Sequence, residues 1–130
     1  RKPFESDMHT KSPRQLSREV RDLLEKFRRE KPVYIVDTRK RHFPWDRPPL
    51  ELWPMIPAGF MGNERPGLLP LNEAVIEKYN SGYGRLLKQQ FGQAEAERFE
   101  AMAPLRNFVM RNYKRVPKRF GEMLVFELKR

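Results

Sequence analysis

The chain has 130 residues and a formal charge of +10, from 27 Lys and Arg against 17 Asp and Glu. It contains no cysteine, which excludes disulfides, thiolate nucleophiles and Cys-based zinc sites. With 38% hydrophobic and 34% charged residues it can bury a small core only, yet an aromatic content of 12% is too rich for a purely solvated tail.

The charge is uneven. Residues 1–50 hold 14 basic and 8 acidic side chains, residues 51–100 hold 5 and 7, and residues 101–130 hold 8 and 2. Two basic ends flank a slightly acidic middle, the outline of a chain that grips a polyanion. No apolar run approaches the roughly 20 residues that span a bilayer, so no transmembrane segment is expected, and no secretory apolar region is present. The first residue is Arg1 and not Met, which fits either removal of an organelle-targeting leader or a numbering that starts inside a longer chain.

Residues 1–11 read as a polar N-terminal arm. Residues 12–43 read as a helix plus a short strand. Ser12 is placed to cap, Pro13 suits the first helical position and Gln15 completes a capping box. Leu16, Val20, Leu23, Leu24 and Phe27 then form one apolar stripe, and Arg14, Arg18, Arg21, Lys26, Arg28 and Arg29 lie largely off it. Pro32 ends the helix near Lys31. Val33-Tyr34-Ile35-Val36 is β-branched and aromatic, as a strand requires.

Asp37 closes that strand, a position that serves catalysis or metal binding in many α/β enzymes. The stretch resembles the opening of a rhodanese-type domain, which needs a reactive Cys that this chain lacks. Asp37 is better read as capping the turn or pairing with the arginines that follow.

Residues 44–71 form a Pro-rich strap, with seven of the twelve prolines between Pro44 and Pro70. That density forbids a long helix or a central strand. Leu50, Leu52, Trp53, Met55, Ile56, Phe60 and Met61 are interleaved with the prolines, so the strap is expected to lie against a surface.

Residues 72–130 read as a helical region with a C-terminal strand. Asn72 is placed to cap a helix that Asn80-Ser81-Gly82-Tyr83-Gly84 interrupts and that resumes from Arg85 to Phe91. A further helix runs from Gln93 to Ala103, with Glu95, Glu97 and Glu100 spaced as a solvated face. Pro104 either kinks it or opens the next turn. Leu105, Phe108, Val109 and Tyr113 continue an apolar face until Pro117. Met123–Leu128 reads as a strand able to pair with Val33–Val36. The fold class expected is α+β and mainly helical, with three or four helices, a two-stranded sheet if those strands pair, and the long extended strap.

Two clusters carry the candidate chemistry. Arg106, Arg111, Lys114, Arg115, Lys118 and Arg119 form a run of six cations with no acidic residue among them. Arg111, Lys114, Arg115 and Lys118 fall at i, i+3, i+4 and i+7 and share a face while a helix lasts. Such a face stands solvated or neutralises phosphates, and the lack of acidic neighbours at i±4 favours phosphates. Arg39, Lys40 and Arg41 adjoin His42, Phe43 and Trp45, an interleaving of cations and rings that suits RNA, unless Phe43 and Trp45 belong to the core. His9 and His42 have no ligand-spaced partners, so no metal site or cofactor is expected.

With its basic ends (Arg39–Arg41 and Arg106–Arg119), its Pro44–Pro70 strap and its missing initiator Met, the chain resembles an accessory protein of a mitochondrial ribosome. The resemblance implies a non-enzymatic structural subunit in the mitochondrial matrix. Its basic faces would meet rRNA phosphates, Phe43 or Trp45 would stack on a base, and the strap would dock on neighbouring proteins. The alternative is an accessory subunit of a mitochondrial respiratory or ATP-synthase complex, with Trp45 and Trp53 near the membrane interface. A small enzyme using Asp37 is the third reading.

Overall fold

The computed structural model describes residues 11–38, 53, 55–56, 67–68 and 73–130, except 117, 119 and 122. The described elements, in chain order, are α1 (Pro13–Glu30), β1 (Tyr34–Asp37), β2 (Met55–Ile56), β3 (Gly67–Leu68), α2 (Glu73–Phe91), α3 (Gln93–Ala101), α4 (Ala103–Asn112), β4 (Tyr113–Arg115) and β5 (Leu124–Leu128). The fold is α+β and mainly helical. Residues 1–10 of the expected arm and most of the 44–71 strap lie outside the described residues, as does Asn72.

α1 begins as its sequence dictates. Ser12 is extended, its hydroxyl oxygen accepts the Gln15 backbone N–H at 3.1 Å, and Pro13 opens the helix. Leu16, Val20 and Leu24 are buried along one stripe. The helix ends on Lys31, which takes a left-handed φ of 47° so that its N–H reaches the Phe27 carbonyl at 2.8 Å, and Pro32 follows. Lys11, assigned to the polar arm, is instead buried. Its ammonium pairs with Glu19, and its carbonyl accepts from Arg98 Nε at 2.7 Å, tying the entry to α1 onto α3.

α2 corrects the expectation of a break at residues 80–84, because it runs unbroken through Gly82 and Gly84. Each glycine costs a helix roughly 1 kcal/mol. Packing offsets that cost: Tyr79 and Tyr83 set their rings 6.3 and 5.1 Å from Phe99 of α3, and Ile76 and Leu87 are buried. The break comes later, at Gly92, whose φ of 96° favours glycine. Pro104 does not kink a helix; it sits in the first turn of α4, after Met102. Glu95 is another correction. It is buried and bound to Arg98 at 3.0 Å, while Glu97 and Glu100 are exposed.

The sheet has three antiparallel strands in the order β1-β5-β4. The pairing of β1 with β5 matches the expectation, in the register Ile35 opposite Phe126. β4 adds a strand where the spacing of the cations predicts helix. Asn112 ends α4 by donating its side-chain N–H to the Phe108 carbonyl at 2.8 Å. Tyr113 then turns into the core, and its hydroxyl donates to the Pro32 carbonyl at 2.6 Å. β4 and β5 are joined through Gly121, whose φ is 64°. β2 and β3 pair separately as a two-residue ladder.

The core lies where α1, α3 and α4 meet the inner face of the sheet. Leu16, Val20, Phe99, Met102, Val109, Tyr113 and Phe126 are almost fully buried there. Each large apolar side chain so placed stabilises the fold by about 1.5–3 kcal/mol. Trp53 joins from the middle of the chain, its ring 4.9 Å from that of Phe126.

Candidate nucleic-acid interface

α1 carries a continuous basic surface. Arg14, Arg18, Arg21, Glu25 and Arg28 recur at spacings of 4, 3, 4 and 3, so they form one stripe, with Arg29 beside it. All six are exposed, on the side turned away from Leu16 and Val20. From Arg14 to Arg29 the stripe extends about 22 Å, at 1.5 Å per residue. Glu25 is its one acidic member, and Asp22 lies on its flank. Among the described residues no ion pair engages Arg14, Arg18, Arg21 or Arg29. Arg28 sets its guanidinium 5.8 Å from the Phe108 ring centroid, which steadies its stem. Guanidinium forks match phosphate oxygens bidentately, so a row of them is chemically suited to a nucleic-acid backbone.

The cation run at 106–119 is taken apart by the fold. Arg106 is fully buried and is corrected from a phosphate ligand to a core residue. Its NH2 nitrogen donates to Asn80 Oδ1 at 2.6 Å and its NH1 to the Phe99 carbonyl at 3.3 Å. The shared helical face of Arg111, Lys114, Arg115 and Lys118 is not formed, because α4 stops at Asn112. In β4 alternation sends Lys114 and Arg115 to opposite faces. Lys114 is exposed, 3.6 Å from Glu127, while Arg115 sits half-buried opposite Phe126.

Arg111 is held by Glu73 through two bonds of 3.0 and 2.6 Å, which pin the end of α4 to the start of α2. The Arg111 hydrogen bonds hold the Glu73 carboxyl below its usual range. Lys118 is exposed, with its ammonium 5.8 Å from the Phe120 ring. Arg119 lies outside the described residues, as do Arg39, Lys40, Arg41, Phe43 and Trp45. The α1 arginines do not stand out in the sequence as a site. Their recurrence at spacings of 4, 3 and 7 is the signal, and the denser runs of adjacent cations elsewhere overshadow it.

Asp37 accepts a hydrogen bond from the Trp53 indole N–H at 2.8 Å. Its carboxylate therefore anchors the middle of the chain to the sheet. Among the described residues, no three His, Cys, Asp or Glu side chains gather as metal ligands, and no helix is long and apolar enough to cross a membrane.

Comparison with protein-family models, with curated proteins and with solved structures finds no match to this chain.

Proposed function

We propose that the protein is a structural RNA-binding subunit of a large ribonucleoprotein, a mitochondrial ribosomal protein of the matrix, with α1 laid along rRNA phosphates. The observation that carries this reading is the set of five exposed arginines on α1, four in one stripe from Arg14 to Arg28 and Arg29 beside it, with Glu25 in the stripe and Asp22 on its flank. Each phosphate it neutralises releases condensed counterions, so binding gains free energy from salt dilution rather than from chemistry at a pocket. The net charge of +10 supplies long-range attraction to the same partner. Neighbouring proteins are assigned to the strap at 44–71.

The respiratory-complex reading draws on Trp45 and Trp53 as interfacial anchors. Trp53 is only 8% exposed and its N–H is bound to Asp37, so that ring is occupied inside the protein. This weighs toward RNA.

The test is binding to a structured RNA hairpin between 50 and 300 mM salt. About five phosphate contacts give a slope of log K on log salt near −4. A flat response ends the nucleic-acid reading. Co-sedimentation with ribosomes, released by RNase and salt, separates it from a subunit that follows detergent-solubilised membranes.

A further inference from the structure

A cleft of about 520 Å³ runs beside the arginine stripe, between α1 and the α3–α4 corner. That volume falls within the roughly 300–1,000 Å³ range of small-ligand clefts. Its two walls carry opposite charge. Arg21 and Arg28 stand on the α1 side, and Glu97 and Glu100 on the α3 side. Val20, Leu24, Ala101 and Pro104 make an apolar floor between them. Gln93 donates to Glu97 Oε1 at 3.1 Å, which orients that carboxylate while both oxygens keep a lone pair for another donor.

We infer that this cleft takes one unpaired guanine from the RNA that lies on α1, a specificity that rests on the RNA-binding reading above. Arg21 and Arg28 belong both to the stripe and to the cleft wall, so a backbone held on the stripe passes along its lip. A phosphate is repelled by the glutamate wall, whereas a flat base can lie on the apolar floor. Glu97 and Glu100 are carboxylates and only accept. They therefore select a base edge with adjacent donors. Guanine offers two, N1–H and the N2 amino group, matched to the two oxygens of a carboxylate. Adenine and cytosine each set one amino group beside a ring nitrogen acceptor, and uracil flanks one N–H with two carbonyl oxygens. Those acceptors face a carboxylate unfavourably. Splayed-out bases read on their Watson–Crick edge are the usual route to sequence-specific RNA recognition.

The experiment uses four single-stranded RNAs, each with five uridines on either side of a central G, A, C or U, titrated against the full chain at fixed salt. The G oligonucleotide is expected to bind about tenfold more tightly than the other three, the discrimination that one good bidentate base contact gives. Replacing that guanine by inosine, which lacks the 2-amino group, is expected to lose part of the gain. The double variant Glu97→Gln/Glu100→Gln is expected to bind the A oligonucleotide at least as well as before while losing its preference for G.

Equal affinity for all four RNAs with a steep salt slope overturns the guanine site and leaves the RNA-binding reading standing. Absence of binding to all four overturns the guanine site, and absence of binding to the structured hairpin as well overturns the RNA-binding reading. A preference for G that survives the double variant also removes the cleft from the proposal. A concentration-dependent dimer broken by Glu97→Lys assigns the cleft to a second copy instead.

Discussion

The guanidinium carbon of Arg106 stands 3.9 Å from the centroid of the Phe99 ring, sealed from water between α2, α3 and α4. The Asn80 side chain and the Phe99 carbonyl also hold it. A buried cation needs such acceptors, since stripping its water without replacing it costs several kcal/mol. Arg106→Ala is expected to destabilise the fold by about 3 kcal/mol or more, through a cavity and the missing hydrogen bonds. Asn80→Ala is expected to cost about 2 kcal/mol, because the guanidinium is deprived of a charge-assisted acceptor. Urea denaturation measures both. The salt slope of RNA binding is expected to stay unchanged in Asn80→Ala, since that side chain holds Arg106 rather than standing on the α1 stripe.

Arg14→Gln together with Arg18→Gln is expected to flatten the salt slope of RNA binding by roughly 1.5–2, near 0.7–0.9 for each phosphate no longer neutralised. Both side chains are exposed on a helix they do not help to pack, so thermal stability is expected to move little. Arg111→Gln is the comparison. Its guanidinium is already held by Glu73, so the slope is expected to hold. A change as large in Arg111→Gln as in the α1 pair would move the RNA surface away from α1.

Alkaline pH tests the aromatic packing of α2. Burial pushes the Tyr79 hydroxyl up to about 12, against the pull of the Arg106 charge and helped by Tyr83. The folded value exceeds the ordinary value near 10, so the neutral phenol is favoured by folding. That stabilisation is fully present below pH 10 and is lost as pH rises through 12. Two units correspond to about 2.7 kcal/mol, and partial exposure of the ring reduces this to roughly 1–2 kcal/mol. Tyr79→Phe is expected to keep more of its stability between pH 10 and 12, read by denaturation at stepped pH. Tyr83 and Tyr113 are also pushed up by burial, so a residual decline is expected in the variant.

Lys31 is the non-glycine residue with positive φ among those described, at 47°. A side chain in that region costs about 1 kcal/mol, and glycine there avoids it at some loss of chain entropy. Lys31→Gly is expected to raise stability by about 0.5 kcal/mol, seen as a melting temperature higher by a few degrees.

Asp37→Ala is expected to cost about 1.5–3 kcal/mol, the usual worth of a hydrogen bond to a charged group, by releasing the Trp53 indole N–H. Asp37→Asn keeps an acceptor oxygen and is expected to cost less. Tryptophan fluorescence shifted toward red in Asp37→Ala, with little change in Asp37→Asn, would match a structural carboxylate.

Much of the fold is legible in residue spacing. The cap at Ser12, the stripe Leu16-Val20-Leu24, the stop at Pro32 and the strand character of residues 33–36 and 123–128 all follow from local chemistry. Two of the departures share one cause, tertiary packing overriding local signals. Gly82 and Gly84 punctuate a sequence, but Tyr79, Tyr83 and Leu87 bury enough surface around them to keep α2 whole. Arg106 reads as a surface cation because only the folded chain reveals Asn80 and Phe99 around it. Lys114 and Arg115 read as helix because nothing in their spacing says that Asn112 closes α4. As for the candidate interface, the spacing of the α1 arginines is visible in the sequence, and only their freedom from ion pairs with the described residues required coordinates.

β5 lies between β1 and β4, and it follows every other described element along the chain. Tyr34 faces Glu127, some ninety positions onward, so among the described strands the first waits for the last before it has a neighbour. Closing so long a loop is slow and entropically costly, while the helices form from near neighbours. The helices are thus expected to gather first. The sheet then snaps shut as a late step, leaving a half-assembled chain with an open strand edge until residues 124–128 arrive.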